Sequence, residues 1–191
     1  MDTTQTERVS EDTYRRLALE DQTNGQLELY QGELREKPEM SVEHGDEMFH
    51  LAHVLQSQLD RREYRLRTDH AKLRRSADTY YVPDVAVIPT ALERVLRQVP
   101  GSLDAYAEPL PLVIEIWSPS TGRYDIDERI PGYQARGDLE IWRIHPYERT
   151  VTVWRRIADG SYVELIHRGG ELRPHSLPGV VIDLDVFFAE D

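Results

Sequence analysis

Residues 112–117 read Leu-Val-Ile-Glu-Ile-Trp, apolar at every position but one. Side chains alternate along a strand, so Val113, Glu115 and Trp117 share one face while Leu112, Ile114 and Ile116 share the other. Both faces are apolar, and both must therefore be covered by other layers. Val85–Ile88, entered through Pro83-Asp84, has the same character. A length of 191 residues is one domain's worth. We read 1–191 as a single unit, with a helical lead-in over 1–24 and a core over about 25–188. The absence of cysteine excludes a disulfide scaffold, a thiolate zinc site and a cysteine nucleophile. No apolar run approaches the ~18 residues of a membrane span. The polar, acidic start lacks the hydrophobic core of a signal peptide, so the expectation is a cytoplasmic protein with no membrane segment.

Around that strand the chain alternates between helix and strand signals. Ser10 caps a helix whose stripe is Tyr14, Leu17 and Ala18. Asn24-Gly25 marks a turn. Leu27–Leu34 alternates as a strand, with Gly32 as a bulge or tight turn. Ser41 caps a helix over Val42–Leu59, with Met48, Leu51, Ala52, Leu55 and Leu59 on one face and His44 above the same stripe. The segment 61–75 reads as two strands and a turn, and Ala91–Val99 as a helix or loop. Further strands are expected at Asp84–Ile88, Leu112–Trp117, Glu140–Ile144, Val151–Arg156, Tyr162–Ile166 and Val180–Leu184. The order implies an α/β or α+β fold, a mixed β-sheet flanked by at least two helices.

Asp84 and Glu115 stand where a bland core would not put them. An ionised carboxylate in dry surroundings is costly unless it is paired, hydrogen-bonded or bound to a metal. Glu115 is therefore either in a functional pocket or paired with a cation from elsewhere in the chain. Two carboxylates on neighbouring strands can hold Mg²⁺ or Mn²⁺ together with a substrate phosphate. Such a metal polarises a phosphodiester and activates its attacking water. A nearby cation would offset the developing charge, and Arg129 is the nearest candidate in sequence.

The net charge of −12 argues against a protein that coats phosphates. One window inverts it: Arg61, Arg62, Arg65, Arg67, Lys72, Arg74 and Arg75 give residues 61–75 a local charge of +5. That window is either a solvated edge discouraging sheet pairing or a strip facing nucleic-acid phosphates.

The strings P-D-V-A-V-I, L-V-I-E-I-W-S-P-S-T and D-I-D-E-R-I-P-G-Y-Q-A-R-G-D-L-E-I-W-R-I-H-P, in this order, resemble the Uma2 family (DUF820). That family groups bacterial restriction-endonuclease-like proteins of the PD-(D/E)XK nuclease superfamily. The segment 27–34 is similar to its hairpin, the helix led by His44 to its histidine-led helix, and 177–188 to its closing segment, so the resemblance spans essentially the whole chain. It implies a restriction-endonuclease-like core with an N-terminal helix and hairpin. It also implies Asp84 and Glu115 as metal-binding acids, Arg129 at the family's lysine position, and Glu28 and His44 as accessory residues.

The expected function is a divalent-metal-dependent endonuclease hydrolysing DNA, with Mg²⁺ or Mn²⁺, as a homodimer. The alternative is a silenced nuclease fold acting as a nucleic-acid-binding or assembly module; a hydrolase of a small phosphate ester would use the same acids. Arginine stays protonated, so Arg129 can stabilise phosphate charge but cannot act as a general base. Pro131-Gly132 is expected to interrupt the helix there and displace Arg129, unless the helix starts just before the pair.

Overall fold

The computed structural model describes residues 8–20, 26–38 and 40–189. The turn expected at Asn24-Gly25 lies outside them. Helix α1 (Glu11–Glu20) starts at Ser10, whose hydroxyl accepts the Thr13 N–H at 3.3 Å. Strands β1 (Leu27–Tyr30) and β2 (Glu33–Glu36) pair antiparallel around Gln31-Gly32, where φ is 50° and 84°. The expected single strand is thus a tight hairpin, because two successive left-handed residues match the twist of its arms. Helix α2 (Val42–Gln58) is capped by Ser41, whose Oγ accepts the His44 N–H at 3.3 Å.

The basic segment forms β3 (Tyr64–Thr68) and β4 (Lys72–Ser76). These strands do not pair with each other. The chain reverses at Asp69, at φ 51°, and crosses from one sheet to another. Then follow β5 (Thr79–Tyr81), β6 (Val85–Pro89), α3 (Thr90–Arg97), β7 (Ala105–Tyr106) and β8 (Leu112–Ile116). A short α4 (Gly122–Tyr124) runs into a π-helical turn, Asp125–Arg129, and then α5 (Ile130–Arg136). The remaining elements are β9 (Glu140–His145), β10 (Thr150–Arg156), β11 (Tyr162–His167), β12 (Glu171–Leu172), β13 (Ile182–Asp183) and α6 (Leu184–Phe187). The expected Val180–Leu184 strand shrinks to two residues because the Asp183 carboxylate accepts the N–H groups of Asp185 and Val186 and starts α6.

One sheet has the order β11-β10-β9-β8-β6-β3, the other β2-β1-β5-β4-β7, and β12 pairs with β13. In the first, β8 and β9 are parallel and the other neighbours antiparallel, which makes it mixed. Alternation along β8 and β6 sorts the core as the sequence implies. Leu112, Ile114, Ile116, Val85 and Val87 face Leu51, Leu55 and Leu59 of α2 and the C-terminal Leu184 and Phe187. Val113, Ala86, Ile88 and Ile141 face the other way, onto Ile130 and Tyr133 of α5 and Leu73, Tyr81 and Tyr106 of the second sheet. Tyr14 and Ala18 of α1 close the far side of that sheet against Leu29 and Tyr80. Glu115 shares the face of Val113, so it points between the two sheets.

Candidate active site

Pro83 leads into β6 and brings Asp84 to its mouth, buried to 1% exposure. Its Oδ2 accepts the Ile116 N–H of β8 at 2.6 Å. Its Oδ1 faces two cationic or polar groups: the Lys37 ammonium, and His44 Nε2 at 3.1 Å. Lys37 follows β2 directly and also donates to Asp69 Oδ1. Burial alone would raise the Asp84 carboxyl, but Lys37 and His44 hold it well below the usual carboxylate range. Burial would likewise depress Lys37, and Asp84 and Asp69 outweigh it, so the ammonium is held above its ordinary value.

Glu115 lies in the same interior, also at 1% exposure. Its Oε1 accepts the Tyr133 hydroxyl at 2.5 Å and its Oε2 accepts Arg129 Nη1 at 2.9 Å. Nη1 also reaches Asp125 Oδ1 at 3.4 Å, and Nη2 donates to Glu28 Oε1 at 2.9 Å. Glu28 Oε1 further accepts the Val82 N–H at 2.6 Å, which fixes β1 against the chain leaving β5. Burial raises Glu115 well above the carboxylate range despite Arg129, with the charges of Asp84 and Asp125 adding to the rise. Burial also pushes Asp125 up to about 6, partly offset by Arg129.

The π-helical turn explains how Arg129 reaches this site past Pro131. The Ile130 N–H bonds to the Asp125 carbonyl, an i→i+5 closure that widens the turn. Pro131 then falls in the first turn of α5, where its missing N–H costs little. Gly132 packs against Tyr81, so closely that a Cβ there would lie 2.5 Å from its ring. Helix α5 starts at Ile130, just before the pair, so Arg129 is not displaced: Arg129 and Tyr133 both reach Glu115, and Asp125, four residues before Arg129, joins through its guanidinium.

Asp84, Glu115, Arg129, Glu28 and His44 are thus brought together. Lys37, Asp69, Asp125 and Tyr133 join them without having been singled out in the sequence. The D-x-x-x-R-x-x-x-Y spacing around Arg129 is the signal that could have found Asp125 and Tyr133, whereas Lys37 and Asp69 carry no periodic signal. The basic segment is not one strip. Arg65 and Arg67 pair with Glu93, Arg67 also with Asp104, and Arg74 with Glu11. Lys72 is buried, while Arg61, Arg62 and Arg75 are exposed.

Five buried carboxylates (Glu28, Asp69, Asp84, Glu115 and Asp125) surround two buried cations, Lys37 and Arg129. Asp125 Oδ2 is buried without a hydrogen-bond partner among the described residues. An all-oxygen donor set with surplus negative charge suits a hard divalent cation. Among the described residues no three His, Asp or Glu side chains form a metal cage by themselves. One or two of these carboxylates could hold such an ion, with a substrate phosphate completing its shell.

The sequence profile of the Uma2 family, described as "Putative restriction endonuclease", matches residues 11–186. The fold is similar to that of a crystal structure described as a "putative nuclease belonging to DUF820" from Anabaena variabilis ATCC 29413. That similarity has a TM-score of 0.74 at 20% identity and covers 94% of this chain and 97% of the other. No curated protein matches the chain in sequence. With the profile covering nearly all of the mixed-sheet core and its carboxylate centre, the chain belongs to the Uma2 family.

Proposed function

We propose that the protein is a divalent-metal-dependent endonuclease that hydrolyses DNA phosphodiesters, using Mg²⁺ or Mn²⁺. The observation that carries this reading is the excess of buried carboxylate over cation around Asp84 and Glu115. Asp84 and Glu115 would hold the metal, each having further lone pairs beyond the hydrogen bonds it accepts. When bound, the ion would polarise the phosphodiester and lower the pKa of the attacking water. Lys37, an ammonium on the Asp84 carboxylate, would offset charge developing on the phosphate. Arg129 and Tyr133 fix the Glu115 carboxylate between them, and Glu28 holds the other end of the guanidinium. His44 orients Asp84 from the α2 side. Cutting both strands of a duplex needs two such centres, which a homodimer would supply.

A second reading is favoured by one observation. Arg129, at 1% exposure, is locked onto three carboxylates and not left facing a substrate phosphate as a lone cation. The fold would then bind nucleic acid, or assemble, without cutting it. Supercoiled plasmid incubated with Mg²⁺ or Mn²⁺ distinguishes the two. Metal-dependent nicking by the native protein, lost in Asp84→Ala and Glu115→Ala, supports the nuclease. Nicking that survives both substitutions overturns it, and its absence in the native protein favours the silent fold. Gain of nicking in Arg129→Lys would then show that the arginine silences it.

A further inference from the structure

Beyond the acid centre, two walls lead to one cleft. On α2, Glu47 lies one turn after His44, on the same helix face. On the parallel pair β8 and β9, Glu115 is in register with Arg143. The next residues on that face are Trp117 and His145, whose rings stack at 4.2 Å and 17°. Tyr147 stands edge-on to both, 5.8 Å from Trp117 and 6.4 Å from His145. It is 63% exposed. Between these walls is a cleft of about 440 Å³, lined by Glu43, Glu47, Pro146, Tyr147, Arg149 and Phe188. Glu47 Oε2 is buried there with no hydrogen-bond partner among the described residues.

We propose that this cleft binds an unpaired nucleobase carrying an exocyclic amino group, in the same strand as the phosphate that is cut. The proposal rests on the nuclease reading above and adds its substrate class: DNA that is single-stranded or locally opened. A planar aromatic ring, held edge-on by the Trp117–His145 stack, offers a face to any base. When ionised, the carboxylates of Glu43 and Glu47 only accept hydrogen bonds and so match the amino groups of adenine, cytosine and guanine, which thymine lacks, while Arg149 in the same lining suits a carbonyl that cytosine, guanine and thymine share. A base inside a duplex presents neither its face nor its pairing edge, so it must leave the stack to enter. Trp117 and His145 lie two strand residues, ~7 Å, beyond Glu115 and Arg143, and the cleft opens beside Tyr147, two residues after His145, within a few nucleotides' reach of the acid centre.

The test is fluorescence of a single-stranded oligonucleotide carrying one 2-aminopurine, titrated with the protein in Ca²⁺ buffer, with probe integrity checked on a gel. Stacking on Tyr147 should quench the probe. Tyr147→Ala should weaken the interaction by roughly fivefold or more, while Tyr147→Phe keeps it. Unlabelled oligocytidine should displace the probe better than oligothymidine, and Glu47→Gln should remove that difference. Absence of quenching, equal quenching in Tyr147→Ala, or equal quenching of the probe in a duplex would overturn the pocket. Because the titration does not read cleavage, plasmid nicking without quenching sinks the pocket alone. Quenching without nicking sinks the nuclease and leaves a nucleic-acid-binding cleft.

Discussion

Arg129 Nη1 donates to Glu115 Oε2 at 2.9 Å, joining the π-helical turn to the middle of β8 in an interior where both side chains are 1% exposed. Through Nη2 the same guanidinium ties in Glu28 of β1, so one side chain links the two sheets and the helix between them. Removing one partner of a buried ion pair leaves an uncompensated charge. Arg129→Ala is therefore expected to destabilise the protein by about 3–5 kcal/mol in urea unfolding. Arg129→Lys keeps the charge but loses the fork, and should fall between the two. Equal stability of Arg129→Ala and the native protein would mean the pair contributes nothing.

Stability in the absence of metal should rise as pH is lowered from 7 to about 5. Asp125 has its folded-state pKa raised to about 6 from 3.8, and Glu115 is also raised. Between those values the folded state binds more protons than the unfolded one, so ionisation is a cost that grows as pH climbs through the window. Asp84 works in the opposite sense: its carboxyl is lowered, so its contribution is present above the unfolded value near 3.8 and is lost only in stronger acid. Urea melts in chelator at pH 5, 6 and 7 measure the slope. Asp125→Asn should flatten it and gain about 1–3 kcal/mol at pH 7. A native slope of the opposite sign over this range would contradict the assignment.

Gly132 owes its identity to Tyr81. A methyl at this position would meet the ring at 2.5 Å, against a side chain that is fully buried and packed on Tyr133. Gly132→Ala improves local helix propensity, yet the overpacking should dominate and cost about 1–3 kcal/mol. Thermal unfolding decides the sign, since propensity alone predicts a higher midpoint.

Within the basic segment two groups of arginines should separate by experiment. Exposed Arg61, Arg62 and Arg75 are available to phosphates, so replacing each by Gln should reduce the salt dependence of DNA binding by about one unit of slope. Arg67 and Arg74 are engaged with Glu93, Asp104 and Glu11. Their Gln variants should lower the unfolding midpoint and leave the salt slope nearly unchanged. Identical salt slopes for all five variants would exclude this division of roles.

Strand alternation at 112–116 and 85–88, the Ser41 cap and the helix after it are legible in the residues alone, because each depends on neighbours within a few positions. The acid inside β8 is legible for the same reason: it breaks a local pattern. What surrounds that acid was settled by tertiary structure. Lys37 meets Asp84 across 47 residues, and Glu28 meets Arg129 across 101, separations at which periodicity carries no information. The split of the basic segment between two sheets follows from the reversal at Asp69, which nothing in its composition announces. Pro131-Gly132 reads locally as a broken helix or as the start of one, and the widened turn before it and Tyr81 beside it decide for the second. Local chemistry thus determined which elements form and that a carboxylate is buried. Packing at long range decided its partners, because the energy of a buried charge depends on everything within a few ångströms, wherever in the chain it comes from.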